Sequence, residues 1–389
     1  MKNLKLKRLL PVVLVGAMLA TLFTGCEKKT DNNPDAGAKT LGNLVYESSM
    51  ENEYAEQFSV DYYKGGYTYI ETYEGDKLLV VPENAEEPEN LPSDVVVFHQ
   101  PAKNIYLAAS ATMALVNAIG GIDSVSLSGI NANDWYTEEA KKAMDEGRLK
   151  YAGKYSEPDY ELMLTTGCSL AIESTMIYHT PDVQEKLIEL GIPVFVDLSS
   201  RESNPLGRME WVKVYGIITG NEDKVEKFFD EKVAEVKAVE GEEPTGKTVA
   251  FFSINSSGLA VVRKTNDYVA KMIEIAGGTY IFDNVGLEDE NSLSTVSMTM
   301  EEFYNTAVNA DVIIYNSTIE GEINSIDDLI NMNEVFKDFK AVKDGQVWCT
   351  DKNMYQATDA IADVIVDMRA LLSGDADMIA NMQYLKQLH

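Results

Sequence analysis

The chain has 389 residues and a formal net charge of −30, from 33 Lys and Arg against 63 Asp and Glu. Its length predicts two domains or lobes, and its hydrophobic content of 45% excludes an intrinsically disordered chain. Because nucleic-acid phosphates are bound through Lys and Arg, the acidic balance argues against a nucleic-acid partner.

Residues 1–25 have the pattern of a signal peptide. Basic residues among the first eight precede an apolar run over 9–23, which is shorter than the about 20 residues that span a bilayer. The run ends at Thr24-Gly25-Cys26, which resembles a bacterial lipobox. This resemblance implies lipidation of Cys26 and anchoring outside the cytoplasm; the alternative is an ordinary cleaved signal. Residues 26–43 are polar and predict a flexible tether.

Residues 44–220 predict an N-terminal lobe. Gly65-Gly66 and the turn at 74–76 separate short runs rich in Tyr, Ile and Val, which indicates a β hairpin or small meander. Strand-like and helix-like runs then alternate: NIYLAAS, ATMALVNAIGG, SVSLSGI, TEEAKKAMDEG, PDYELMLTTG, SLAIES, TPDVQEKLIELG, IPVFVDL and MEWVKVYGIITG. This alternation is typical of a parallel sheet with helices on its faces.

Residues 221–243 predict one long linker helix. Asn221 is a suitable N-cap, and apolar residues recur at helical spacing from Val225 to Val239. After it, residues 244–389 return to the α/β alternation and predict a C-terminal lobe. The alternative is one large doubly wound domain. Cys168 and Cys349 lie in or beside apolar runs, which favours buried thiols over a disulfide.

Several segments resemble the class III substrate-binding lipoproteins of ABC importers for ferric siderophores, haem and cobalamin. The resemblance is carried, in this order, by NIYLAASATMALVNAIGGIDSVSLSGI, PDYELMLTTGCSLAIES, KLIELGIPVFVDL, AKMIEIAGG and ADVIIYN. It covers about residues 95–370, with Cys168-Ser169 standing where the family has Pro-Asp.

The resemblance implies an α/β fold: two Rossmann-like lobes with parallel central sheets, joined by the linker helix, beside the small N-terminal β meander. A ligand would lie between the lobes, on loops at the carboxyl ends of the strands. The loops expected there carry aromatic and Arg residues, suited to planar rings and to carboxylate, phosphate or catecholate groups. The expected ligand-binding residues are Trp135, Tyr136, Tyr155, Tyr178, Arg201, Arg208, Arg263 and Tyr355.

The sequence does not favour an enzyme. It contains no G-x-S-x-G, H-E-x-x-H or Walker A motif. With three His and three Cys, it predicts no metal site and no resident cofactor. We therefore expect a monomeric binding protein.

The resemblance further implies as partners an ABC transporter permease with its ATPase, and as ligand a ferric siderophore, haem or a cobalamin-like corrinoid. It implies that one Glu on each lobe docks on permease Arg residues. Glu161 fits on the first lobe, and Glu301 or Glu302 on the second. The alternative is a lipid-anchored extracellular α/β protein that binds another ligand and is not coupled to an importer.

Overall fold

The computed structural model describes residues 39–287 and 294–389, so the predicted signal peptide and Cys26 lie outside the described residues. Residues Thr40–His389 form one compact unit. In the described part of the chain, no helix has the length and apolar character needed to cross a bilayer.

The predicted N-terminal meander is a separate five-stranded sheet. Its first four strands are antiparallel and its last two are parallel, in the order β1-β2-β3-β4-β5. Gly65 and Gly66 form the β2–β3 turn with φ of 95° and 84°, a backbone region that other residues rarely adopt. The strands are β1 Tyr46–Ser49, β2 Phe58–Tyr63, β3 Tyr67–Thr72, β4 Lys77–Val81 and β5 Val95–His99.

The first lobe is built on a five-stranded parallel sheet in the order β10-β9-β6-β7-β8. Its strands are β6 Ile105–Leu107, β7 Val125–Ser128, β8 Lys150–Tyr151, β9 Ala171–Ser174 and β10 Val194–Asp197. Its helices are α1 Ser110–Ala118, α2 Glu138–Asp145, α3 Tyr160–Thr166, α4 Pro181–Glu189, α5 Pro205–Glu210 and α6 Val212–Thr219. The single helix predicted over MEWVKVYGIITG is therefore wrong, since α5 and α6 share that segment.

The predicted linker helix is α7, Glu222–Glu240. Its predicted apolar stripe is largely buried, whereas Asn221 stands at the N-cap position without capping. Its side-chain amide donates instead to Thr219. In the middle of α7, the Lys232 Nζ lies 2.9 Å from the Asp363 carboxylate of the second lobe.

The second lobe has a mixed sheet in the order β14-β12-β11-β15-β16-β17, with β13 beside β11. Its parallel strands are β11 Thr248–Ile254, β13 Thr279–Tyr280, β15 Val312–Tyr315 and β16 Val347–Thr350. The antiparallel edges, which the sequence did not predict, are β12 Ala260–Arg263, β14 Thr295–Met298 and β17 Leu385–Gln387. The helices are α8 Tyr268–Ile275, α9 Met300–Ala307, α10 Ile326–Met332, α11 Lys340–Lys343, α12 Ile361–Ser373 and α13 Ala376–Ala380. The two lobes and their α/β class are as predicted.

Two buried glutamates attach the N-terminal sheet to the first lobe. Glu210, which is 0% exposed, accepts the backbone N–H groups of residues 53–55 at 2.7–2.9 Å. Glu202 accepts those of residues 56 and 57. Gly207 lets α5 approach this segment, since a Cβ there would lie 2.8 Å from the Tyr54 carbonyl oxygen. All five consecutive N–H groups are therefore bound by two carboxylates.

Glu173 on β9 is a buried carboxyl group without such partners. It is 0% exposed, and neither carboxyl oxygen has a hydrogen-bond partner among the described residues. Burial raises the pKa of Glu173 to about 8. The folded protein therefore keeps a proton here that the unfolded chain releases near its ordinary pKa of 4.5. Because the folded pKa is the higher one, the free energy of unfolding falls as pH rises between these values.

Glu173→Gln removes the group whose ionisation opposes folding. We expect the variant to match the wild type near pH 4 and to unfold at a higher temperature at pH 8.5, because between these values the unfolded wild type releases a proton that the folded wild type keeps. Thermal unfolding, monitored by circular dichroism at the two pH values, measures the difference in unfolding temperature between the variant and the wild type. The exposed Glu185 of α4 supplies the control Glu185→Gln, and an equal gap at both pH values would contradict the assignment.

Candidate functional site

A cavity of about 530 Å³ lies between the two lobes. The first lobe contributes the segments that follow β9 and β10, and the second contributes the turn that leads from β12 into α8. The carboxyl ends of parallel strands are where ligands usually bind in such sheets. The cavity is lined by Thr175, Met176, Tyr178, His179, Ser200, Arg201, Glu202, Ser203, Arg208, Lys264, Asn266, Asp267, Tyr268 and Ser294. A neighbouring polar cavity of about 630 Å³ shares Ser203, Asn266 and Asp267.

Arg208 of α5 is held in a fixed orientation in this cavity. Its Nε donates to the Glu202 carbonyl oxygen at 3.1 Å and its Nη2 to the Ser200 carbonyl oxygen at 2.5 Å. Its guanidinium carbon lies 3.5 Å from the ring centroid of Tyr268, which belongs to the other lobe. Burial lowers the pKa of Arg208, but a guanidinium stays protonated at neutral pH. The result is a positioned cation that also joins the lobes by a cation–π contact.

Arg263 lies at the end of β12, behind the cavity wall. Its Nη1 is 3.7 Å from the Asp267 carboxylate and donates to Ser294 Oγ at 3.2 Å. Its guanidinium carbon is 5.8 Å from the centroid of Tyr268. Arg263 therefore adds positive charge beside Arg208 and is not itself a lining residue.

Arg201 and Tyr178 form another part of the wall, with their side chains in contact at 5.9 Å from guanidinium carbon to ring centroid. Arg201 forms an ion pair with Glu74, and the Tyr178 hydroxyl lies near the Asp76 carboxylate. Burial, and then the neighbouring Glu74, raise the pKa of Asp76 to about 6. Burial, and then the Asp76 carboxylate, raise the pKa of Tyr178. Both carboxylates come from the N-terminal sheet.

Four of the expected ligand-binding residues lie elsewhere. Trp135 is 0% exposed and donates its Nε1–H to Ser128 Oγ at 3.1 Å, so the expectation that it stacks on a ligand is wrong. Tyr155 is half-buried after β8 and is not among the lining residues. Tyr136 and Tyr355 contact each other edge to face at 5.9 Å, in a second contact between the lobes.

Sequence reasoning missed several cavity residues of the second lobe: Lys264, Asn266, Asp267 and Tyr268. A signal for them was present, because Asp267 is an N-cap that accepts the Val269 N–H at 3.0 Å. A strand followed by Asn-Asp at a helix start marks a loop that faces the cleft of such a lobe.

A family model described as periplasmic binding protein matches residues 92–354. The chain belongs to the periplasmic binding protein family. A curated relative, an uncharacterized lipoprotein of Methanocaldococcus jannaschii, is 27% identical over 405 residues, covering 95% of this chain and 94% of the relative. The family resemblance and fold expected from the sequence are therefore confirmed.

Solved structures agree with this periplasmic binding protein fold. A periplasmic binding protein from Veillonella parvula matches with a TM-score of 0.57 at 16% identity, over 71% of this chain and 93% of that one. A periplasmic heme binding protein from Pseudomonas aeruginosa gives 0.53 at 14% identity, over 74% and 96%. A periplasmic vitamin B12 binding protein from Vibrio cholerae gives 0.50 at 16% identity, over 73% and 99%. At these identities the likeness shows the fold.

Gln356 forms the second contact between the lobes of this binding protein. It is 1% exposed and follows β16. Its Oε1 accepts the Tyr136 backbone N–H at 2.8 Å, and its Nε2 donates to the Asp134 carbonyl oxygen at 2.8 Å and to the Tyr355 hydroxyl at 2.9 Å. One side chain therefore joins the loop after β7 to the loop after β16.

Gln356→Leu keeps the side-chain volume and removes all three hydrogen bonds. Because two backbone groups lose their partner, we expect a loss of about 2–3 kcal/mol in the free energy of unfolding and faster amide exchange at Tyr136. Urea unfolding and hydrogen–deuterium exchange of peptides covering 131–140 measure these effects. Gln387→Leu, whose amide bonds Gly345 inside the second lobe, is the control. Unchanged exchange at Tyr136 in the Gln356 variant would show that Gln356 does not join the lobes.

Proposed function

We propose that this protein is a lipid-anchored, extracytoplasmic substrate-binding protein that captures an anionic iron complex, a ferric siderophore or haem, for an ABC importer. The observation that carries this proposal is the group of cations at the interlobe cleft, Arg201, Arg208, Arg263 and Lys264, in a chain of net charge −30. Basic residues are few, and their convergence on one cleft favours an anionic ligand.

The geometry of Arg208 supports an anion more than a large apolar ring. Stacking on Tyr268 occupies the face of the guanidinium, and within 39–287 and 294–389 the hydrogen bonds of Arg208 use Nε and Nη2 and leave Nη1 without an acceptor. The edge of a guanidinium is the part that binds carboxylate or catecholate oxygens. Haem carries two carboxylates that suit this edge, whereas the corrin ring of cobalamin carries mainly amides, so a cobalamin-like corrinoid is the less favoured ligand.

In this proposal, the protein is attached to the membrane by lipid on Cys26. The named relative is a lipoprotein, and the chain has the apolar run and cysteine that lipidation requires. A chain held by lipid outside the cytoplasm can capture a ligand close to a permease in the same membrane.

The binding test is a thermal-shift screen of the soluble protein against a ferric tris-catecholate, haem and cyanocobalamin, followed by titration of each ligand that stabilises it. For the bound anionic complex, we expect Arg208→Gln to weaken affinity by about tenfold or more, because the substitution removes a charged hydrogen-bond donor to the ligand. A loss of about 1.4 kcal/mol corresponds to each factor of ten in affinity. Isothermal titration gives the dissociation constants.

The control for this prediction is Arg148→Gln. Arg148 is a surface arginine already paired with Asp123 at 2.7 Å and Glu146 at 2.8 Å. It carries the same charge as Arg208 but lies on the surface between α2 and β8. If the two substitutions weaken affinity equally, the effect is one of net charge and Arg208 is not a ligand contact.

Docking on a permease is the second part of the proposal, and the two lobes offer equivalent glutamates. Glu161 is the second residue of α3, whose N-cap is Asp159, and Glu301 is the second residue of α9, whose N-cap is Thr299. Helix α3 precedes β9, which pairs with β6, the first strand of the first lobe. Helix α9 likewise precedes β15, which pairs with β11, the first strand of the second lobe. Glu302 is occupied, since its carboxylate accepts the Thr299 N–H and hydroxyl at 2.9 and 2.8 Å. We therefore assign Glu301, and not Glu302, as the second docking residue.

Reversal of both charges, Glu161→Lys with Glu301→Lys, is expected to abolish uptake of the iron complex by cells and to leave binding by the isolated protein unchanged. The reason is that both side chains are exposed and lie outside the lining of the cleft. Uptake of radioactive iron and isothermal titration measure the two effects, with Glu185→Lys on α4 as the control. Normal uptake by the double variant would favour the alternative, a lipid-anchored binding protein that is not coupled to an importer.

A further inference from the structure

The tip of the β3–β4 hairpin reaches the interlobe cleft from the N-terminal sheet. Glu74 forms an ion pair with Arg201, and the Asp76 carboxylate lies near the Tyr178 hydroxyl. Arg201 and Tyr178 both line the cavity between the lobes. The hairpin tip is therefore part of the wall of the site, although it belongs to neither lobe.

The hairpin tip is a fixed wall and not a lid. Strands β3 and β4 pair in regular register up to Glu71 and Lys77. The Tyr73 backbone N–H donates to the Gln57 carbonyl oxygen at 2.9 Å, and Gln57 is itself bound by the buried Glu202. The tip is held by the pairing of β3 with β4 and by the hydrogen bond from Tyr73 to Gln57. We therefore expect its carboxylates to stay in place when a ligand enters.

The tip makes the two arginines of the first-lobe wall unequal. Arg201 is compensated by Glu74, whereas in the described part of the chain no carboxylate lies within ion-pair distance of Arg208. The second oxygen of Asp76 is buried and finds no partner among these residues. Negative charge is thus concentrated beside Arg201, whereas Arg208 has no direct ion-pair partner among the described residues and is influenced by the more distant Asp267 and Asp197.

The tip also lies outside the part of the chain that defines the family. The family model matches residues 92–354, and the tip comprises residues 73–76. A wall placed there can differ between this protein and relatives that share only the two lobes.

We propose that Glu74 and Asp76 form a charge filter: they direct the anionic group of the ligand to Arg208 and weaken the binding of ligands that bring further negative charge toward Arg201. This inference rests on the proposed function, since it assigns specificity to the same cleft. A like charge opposed at close range is an established means of rejecting a wrong ligand.

The experiment compares two ferric complexes of different charge, a trianionic ferric tris-catecholate and a neutral ferric tris-hydroxamate. Glu74→Gln removes the charge and keeps the shape of the side chain. We expect it to shift the ratio of the two affinities toward the trianionic complex by about fivefold or more. Glu74→Asp, which keeps the charge, is expected to hold the ratio near that of the wild type.

Glu47→Gln is the matched control, because Glu47 is an exposed glutamate on β1 of the same sheet. It removes the same charge from the protein and should leave the ratio unchanged within about twofold. Circular dichroism of each variant establishes that the sheet is folded before titration.

The outcomes separate this inference from the function on which it rests. If the wild type binds both complexes and Glu74→Gln leaves the ratio of their affinities unchanged, the charge filter is wrong and the proposed function stands. If Glu74→Asp shifts the ratio as much as Glu74→Gln, the effect comes from hairpin shape, which also overturns the filter. If neither complex nor haem binds the wild type, the proposed function fails and the filter fails with it.

Discussion

The burial of Glu202 and Glu210 is the constraint on which the placement of the N-terminal sheet depends. A buried carboxylate is costly unless its oxygen atoms accept hydrogen bonds, and backbone N–H groups outside regular structure need acceptors. Residues 53–57 supply five consecutive N–H groups, and the two carboxylates accept all of them. The carboxylates are the acceptors for the N–H groups, and the N–H groups are the donors for the carboxylates. If residues 53–57 or α5 moved alone, buried carboxylates and N–H groups would lose their hydrogen-bond partners.

The same few residues of α5 shape the cleft. Residues two apart on an α-helix point in nearly opposite directions, so Arg208 faces the second lobe while Glu210 faces the N-terminal sheet. The Glu202 carbonyl oxygen accepts a hydrogen bond from Arg208 Nε, and its carboxylate accepts the Gln57 N–H. The position of the cleft arginine and that of the hairpin wall are therefore fixed by one short stretch of chain.

Much of the fold could be predicted from the sequence because local patterns, such as helical spacing and glycine turns, determine many of its elements. Helical spacing located α7, which begins at Glu222 next to the predicted cap at Asn221, and the turns at Gly65 and Gly66 located the hairpin. The antiparallel strands of the second sheet, β12, β14 and β17, were missed because they are only partly buried and carry a weaker apolar pattern than the central strands β11 and β15. Their pairing is decided by tertiary contacts, as when β17 joins β16 near the end of the chain.

Three of the residues expected from the sequence line the cavity, and the differences between that expectation and the lining have physical reasons. Tyr178, Arg201 and Arg208 follow strands or precede a helix, where a parallel sheet exposes its loops, and all three line the cavity. Trp135 also follows a strand, but its ring fills the core because Ser128 supplies a partner for its indole N–H. Glu74 and Asp76 could not be found, since their partners lie more than 100 residues away in the sequence. A contact between residues so far apart in the sequence leaves no local sequence pattern.

Several connections between the lobes oppose opening or closure of the cleft, among them α7, the Arg208–Tyr268 contact and the hydrogen bonds of Gln356. The helix α7 is covalent and tied to α12 through Lys232 and Asp363, so it limits the amplitude of motion. Arg208 on Tyr268 and the hydrogen bonds of Gln356 are non-covalent and lie in separate contacts. Because such contacts are worth only a few kcal/mol, they can hold the lobes together without a ligand and still yield to one. A ligand that binds the edge of Arg208 leaves its stacked face in place, so binding and closure need not compete.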